Sequence, residues 1–417
     1  MVTGDKTLLR LVGRSFVGFE QALAEQAAAF EQAHPGVKVE LTFRDPQALY
    51  ESTIARAELA SGAIDVTLTL TDWLPEAMQR DLLVALDPLL AQDPPEGWPD
   101  GWSPSLRGLQ RDAGGQTYAL PYHDGPMMFI YRRDLFEDPR EQADFQARYG
   151  QDLRPPETWS DYLKIAQFFT RPEQDLYGAV AAGLNDAHNN VYDFMIHTWS
   201  RGGRLLDDQG LPIFHEPIAI EALQFHVDLF NRYKVVPPEA KELDSVASGA
   251  YYASGRAAMM VNWCGFATMA EVPGQSSVVG KNGLGLIPRG DSAQGVHTSI
   301  NVYWVLAVAA GSAQKELAYE FLRSTASPAL DKITALNGCI ATRYSTWRDP
   351  DILRQFPVYA TIEAVHKSVD SPPPIPQWPA ITEILNVGID DALHQRKSVE
   401  EALTWASTQA RQLMEAR

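Results

Sequence analysis

The stretch GQTYALPYHDGPMMFIYRRDLF, residues 115–136, decides the fold. Gly114 and Gly115 make a turn, Tyr118 to Pro121 form a short extended run, and Gly125–Pro126 breaks regular structure before the apolar run Met127 to Tyr131. Tyr122, His123 and Asp124 stand at the bend. The pattern reads as a strand that enters a crossing point and leaves again. A crossing between two lobes is where a cleft would lie.

On its N-terminal side, strand and helix alternate. Leu8 to Val12 reads as a strand, and FEQALAEQAAAFEQAHPG places Phe19, Leu23, Ala27 and Phe30 on one helical face before Pro35–Gly36 stops it. Val37 to Phe43 alternates as a second strand. A helix over Pro46 to Ser61, a strand over Asp65 to Leu70 and a helix after Pro75 follow. This order predicts a mostly parallel sheet covered by helices. Ligands of such sheets lie beyond the carboxyl ends of the strands. The residues there are Arg14, Ser15 and Phe16, then Arg44 and Asp45, then Thr71, Asp72 and Trp73.

On the C-terminal side, residues 157 to 270 are richer in helix. Trp159 to Phe169, Val191 to Ser200 (closed by Gly202–Gly203) and Ile218 to Tyr233 read as helices. A buried strand over Ala257 to Val261 ends at Asn262–Trp263. SINVYWVLAVAAGSAQKELAYEFLRS gives a strand and a long helix. The final helix repeats Val399, Ala402, Leu403, Ala406, Ala410 and Leu413 at helical spacing.

Composition bounds the function. At 417 residues the chain exceeds one growing core, so two lobes are expected. Its net charge of −18 has no acidic tail or block behind it, and nucleic acid and anionic membranes are poor partners for it. The longest strongly apolar run, Val302 to Ala310, is too short to span a bilayer. The opening MVTGDKTLLR has no apolar signal segment, so the chain is either cytoplasmic or has had its targeting segment removed. The two cysteines, Cys264 and Cys339, read as separate buried thiols, with a single disulfide as the alternative. No C-x-x-C, H-E-x-x-H or Cys/His cluster occurs, and no metal or cofactor is expected.

Taken in order, FEQAHPGVKVELTF, IDVTLTLTDWLPEAMQRDLLVALDPLL, YALPYHDGPMMFIYRRDLF, PPETWSDY, ASGRAAMMVNW, LGLIPRG and AQKELAYEFLRS followed by LNGCIATR carry a family likeness. The chain resembles the extracellular solute-binding proteins of ATP-binding-cassette transporters, in the carbohydrate-binding family that includes maltose-binding protein. The likeness runs from about residue 7 to the C-terminus. It implies the α/β two-lobe periplasmic-binding-protein fold of type II, each lobe a mostly parallel sheet flanked by helices and joined by hinge crossings. The crossings are expected near Pro121, Pro288 to Ser299 and Gly338 to Thr342. Lobe I would hold 1–121 and 290–338, and lobe II 122–289 and 339–417. It also implies capture of a small carbohydrate, mono- or oligosaccharide or polyol, in an interlobe cleft that closes by a hinge. Delivery would be to the membrane permease of an ABC importer. The expected protein is a monomer, periplasmic or extracellular, with a lipoprotein anchor as one form.

A sugar site needs flat rings for C–H faces and polar groups for hydroxyls. Trp73, Trp199, Trp263, Trp304 and Tyr122 are the stacking candidates, each equally readable as core. Asp72 and Asp124 would accept from hydroxyls, and Arg14 with Arg343 could bind a hydroxyl pair or an anion. Asp45, like any turn Asp, could instead cap backbone. Ser15, His123 and Asn301 complete the set, with Asn262 and Tyr303 as further candidates. Phe16 stands where a tryptophan or polar residue is expected. The arginines Arg14, Arg44 and Arg343 keep an acidic or sulfonated sugar derivative open, and the fold alone admits a peptide, polyamine or metal complex. An enzyme is not expected. Asp72 and Asp124 could form a glycosidase pair only at a suitable separation, while GRSFVG and GQSSVVGKN fit neither a nucleophile elbow nor a phosphate loop.

Overall fold

TLLRLVGR and VKVELTFR pair as parallel strands, β1 (Thr7–Arg14) and β2 (Val37–Arg44), in register from Thr7 opposite Val37 to Arg14 opposite Arg44. The helix Val17–Ala33 crosses between them and buries Phe19, Ala22, Leu23, Ala27 and Phe30, the face its spacing predicts. Gly18 in its first turn admits no side chain: a Cβ would meet Cys339 Sγ at 2.7 Å and the Asn337 carbonyl oxygen at 2.8 Å. The remaining strands, in this computed structural model describing residues 6–415, are β3 (Val66–Leu70), β4 (Ala119–His123), β5 (Met127–Arg132), β6 (Met259–Trp263), β7 (Asn282–Gly285), β8 (Ser299–Ile300), β9 (Trp304–Val308) and β10 (Val369–Asp370).

The chain divides into two compact units. Unit 1 holds the residues up to Gly125 with Asn301–His366 and Ser371–Trp378, and unit 2 holds Pro126–Ile300, Lys367–Asp370 and the residues from Pro379 onward. Unit 1 is built on a five-stranded sheet of order β2-β1-β3-β9-β4. β1 runs parallel to β2 and β3, while β9 runs antiparallel to β3 and β4. Every residue of β3 and β9 is buried, as continuous apolar runs in a covered sheet require.

Unit 2 departs from the parallel expectation. Its three-stranded sheet, β6-β5-β7, is antiparallel throughout, and β8 pairs parallel with β10. The crossover rule governs strands joined by one helix; β5 and β6 are separated by several, so it sets no direction for them. Helix packing dominates the rest, with Trp159–Phe169, Tyr192–Ser200, Pro217–Asn231 and Val399–Glu415 each presenting a buried stripe.

The chain passes between units at Gly125–Pro126 and at Ile300–Asn301, so residues 290–300 fall in unit 2. The last passages come within His366–Pro379, well after the expected Gly338 to Thr342. Residues 339–366 stay in unit 1 because they are bonded to it: Asp124 N–H donates to the Ile340 carbonyl (2.8 Å) and Ile340 N–H to His123 Nδ1 (2.9 Å). Asp331 accepts from Thr342 N–H (2.9 Å) and Thr346 Oγ1 (2.5 Å). The helix expected over Pro46 to Ser61 is also shorter. It is regular only over Pro46–Tyr50 and gives way to a wider turn over Glu51–Ala55, where the Ser52 and Thr53 hydroxyls donate back to the Ala48 and Leu49 carbonyls at 2.6 Å.

Candidate functional site

Register brings the expected loop ends of unit 1 to one sheet edge. β1 and β2 finish together at Arg14 and Arg44, Leu70 at the end of β3 lies opposite Trp304, and His123 at the end of β4 also pairs with Trp304. There the Arg14 guanidinium lies 5.3 Å from the ring centre of Trp304 and 5.6 Å from that of Phe16. Trp304 packs edge-on against Trp73 and Phe19, both at 5.8 Å. Phe19 meets His123 at 4.9 Å and Phe16 at 5.2 Å, and Tyr50 lies 5.3 Å from Trp73. The result is one cluster of rings around one cation. Trp73 and Trp304 are buried, whereas Phe16 is 45% exposed.

The electrostatics of this edge are set by burial. Burial lowers the Arg14 pKa from its ordinary value, and, among the described residues, no hydrogen bond or ion pair engages its guanidinium. Burial, then the Arg14 charge, push the His123 pKa down to about 3, against an opposing pull from Asp124. His123 is therefore neutral. Because its Nδ1 accepts from Ile340 N–H, its proton sits on Nε2, which is a donor. Asp72 is half-buried between Thr71, whose hydroxyl accepts from Tyr303 N–H (3.2 Å), and Trp73.

Other expected contacts are committed to the fold. Arg44 is bonded to Glu58 at 2.7 Å and to the Ser52 hydroxyl. Asp45 caps the helix Pro46–Tyr50 by accepting from Ala48 N–H (2.9 Å), and Ser15 donates to Glu20 (2.9 Å). Arg343, expected at the ligand, is buried over Trp102 at 4.2 Å with Nη1 donating to the Ala326 carbonyl (2.7 Å); it is a packing residue. Tyr122 donates to Gln26 Oε1 (3.0 Å) within the core, and Tyr303 is fully buried.

Asp124 is corrected most clearly. Its carboxylate is fully buried, accepting from Gly125 N–H (2.9 Å) and Asn301 Nδ2 (2.9 Å) on one oxygen and facing His366 Nε2 (2.7 Å) on the other. His366 Nδ1 meets Ser105 Oγ (2.7 Å), which meets Ser103 Oγ (2.7 Å). Asn301 and His366 are the residues of unit 1 that flank the second passage and the first of the later ones. One carboxylate thus ties three of the points at which the chain leaves or re-enters unit 1. Sequence singled out Asp124 and Asn301 but missed His366, a lone histidine in a helical run with no local signal.

Trp199 and Trp263 belong to unit 2. Trp263 ends β6, half-buried, with Tyr192 edge-on at 5.6 Å. Trp199 lies half-buried on the helix Tyr192–Ser200. Asn262 donates to the Ser245 carbonyl (3.0 Å) and is structural. An amide chain that sequence did not single out joins Asn190 to Asn386 (3.4 Å) and Asn386 to Asn185 (2.6 Å). Cys264 and Cys339 are both buried and are not joined in a disulfide, and burial raises the Cys339 pKa.

The family model of the bacterial extracellular solute-binding proteins matches residues 15–331. The chain belongs to this family. Among its relatives is a mannitol-binding protein of Pseudomonas aeruginosa, 27% identical over 368 residues, covering 86% of this chain and 78% of that protein. Among solved structures, an ABC transporter solute-binding protein of Agrobacterium radiobacter K84 in complex with ribitol is 25% identical with a TM-score of 0.85, covering 98% of this chain and 99% of that one. Maltose-bound MalE3 of T. maritima is 22% identical with a TM-score of 0.83, covering 98% and 100%. The chain therefore has the two-lobe periplasmic-binding-protein fold, in a family of solute-binding proteins rather than enzymes. Among the described residues no helix is long and apolar enough to cross a membrane.

Proposed function

We propose that this solute-binding protein captures a small sugar or sugar alcohol and delivers it to the permease of an ATP-binding-cassette importer, outside the cytoplasmic membrane. The observation that carries the reading is the ring cluster of unit 1, where Arg14, Trp304, Trp73 and His123 meet at one sheet edge. Rings offer apolar faces to C–H groups, while Arg14 and His123 donate to hydroxyl oxygens and Asp72 accepts from them. The mannitol, ribitol and maltose bound by the similar proteins support this class. Unit 2 carries its own candidates, Trp199 and Trp263.

Asp124 is a positioning residue in this account. Fully engaged with His366 and Asn301, it leaves no oxygen for acid–base work and sets the geometry of the strands beside His123. A thermal-shift screen over mono- and disaccharides, alditols and sugar acids tests the class: a ligand stabilises by mass action, so at least one member raises the melting temperature. A shift with peptides or polyamines and none with the sugars would overturn it.

A further inference from the structure

Three arginines, Arg14, Arg44 and Arg343, stand out in the sequence as cations that could meet a charged ligand, and their surroundings differ. Arg44 is neutralised by Glu58 at 2.7 Å. Arg343 is buried against Trp102, the Ala326 carbonyl and the Asp331 segment. Arg14 alone of the three has no hydrogen-bond or ion-pair partner among the described residues, and its Nε is buried without one. Four carboxylates near these loops are engaged elsewhere: Glu20 by Ser15, Asp45 by Ala48 N–H, Glu58 by Arg44, and Glu76 by Tyr50 (2.6 Å) and Arg80 (2.9 Å).

A partly buried cation left uncompensated is costly, and proteins ordinarily pair it. Two aromatic rings hold Arg14 in place, but a ring quadrupole is a weak substitute for an anion. A guanidinium that served only neutral hydroxyls would gain from a neighbouring carboxylate, which would fix its orientation. Here the second polar group at the edge, His123, is also a donor, through Nε2. Two donors, neither paired with a carboxylate among the described residues, suit a ligand that brings its own.

We propose that Arg14 is a specificity-determining residue for a sugar acid, its guanidinium receiving the carboxylate of the ligand while the rings of Trp304 and Phe16 flank the carbon chain. The proposal rests on the sugar reading above and narrows it. The carboxylate forms a charge-assisted, planar pair with the guanidinium, shorter and stronger than a hydroxyl contact. Asp72 suits the ligand's hydroxyls. The overall charge of −18 opposes an anion only at long range, where salt screens it beyond about 8 Å. The local cation decides.

Isothermal titration of the protein against D-mannitol, ribitol and their sugar acids D-mannonate and D-ribonate tests this. At least one acid is expected to bind about tenfold or more tightly than the alditol of its chain length. Arg14→Gln should lose about tenfold more affinity for the acid than for the alditol, and Arg14→Lys, which keeps the charge, should restore part of that margin. Alditols binding as tightly as the acids, or equal losses for both in Arg14→Gln, would overturn the proposal and leave the sugar reading standing. Binding of neither class would overturn the proposal, and the wider thermal-shift screen would then decide the sugar reading.

Discussion

The strand ends of unit 1 and unit 2 solve different problems. In unit 1 the parallel register of β1 and β2 and the antiparallel insertion of β9 bring an uncompensated arginine, a neutral histidine and five aromatic rings to one edge. In unit 2 the end of β6 carries Trp263 against Tyr192, and the nearby polar groups are amides bonded to one another. The unpartnered guanidinium belongs to unit 1, while Trp263 of unit 2 packs against another ring.

The comparison can be broken by substitution. Trp304→Ala should cost unit 1 about 3–5 kcal/mol, because a buried ring that also holds Arg14, Trp73 and Phe19 is lost. Trp263→Ala, at a half-buried ring, should cost unit 2 about half as much; calorimetric unfolding that shows equal losses would erase the distinction. Asp124→Ala leaves His366 and Asn301 without their acceptor and should destabilise unit 1 by about 2–4 kcal/mol. Its signature is a lowered transition for unit 1 with that of unit 2 in place. Gly18→Ala forces a methyl against Cys339 Sγ and the Asn337 carbonyl and should cost about 1–3 kcal/mol by urea denaturation.

Acid affects both units in the same direction and sharpens the comparison least. Burial pushes His123 in unit 1 down to about 3 and His226 in unit 2 down to about 4, from 6.5. The folded state holds neutral rings, whereas the unfolded chain takes up protons near 6.5. Stability is therefore full above that pH and lost as pH falls toward 4 and then 3. Proton NMR of the folded protein should show neither ring titrating near 6.5, and Arg14→Gln should move His123 upward by removing a repelling charge.

How much of this was legible in the sequence differs by distance along the chain. Local periodicity placed the helices Val17–Ala33, Trp159–Phe169 and Val399–Glu415 and the strands β1, β2 and β3, because each face is written in consecutive residues. The loop-end rule then singled out Arg14, Phe16, Asp72 and Trp73 as candidates, along with Ser15, Arg44 and Asp45, which are bonded within the fold. Pairings across hundreds of residues were not legible. Nothing local shows that Asp124 meets His366, that Arg343 is enclosed by Trp102, or that Arg44 finds Glu58 while Arg14 has no acid partner among the described residues. The antiparallel sheet of unit 2 was hidden for the same reason, since several helices separate β5 from β6.

Hydrogen exchange with and without saturating D-mannonate, with D-mannitol beside it, probes whether the ligand sits at the Arg14 edge. Slowed exchange is expected at residues 13–19, 71–75 and 120–125, the three segments that meet at the Arg14 edge, with the stronger effect from the acid. Unchanged exchange in those segments while both ligands bind would contradict it.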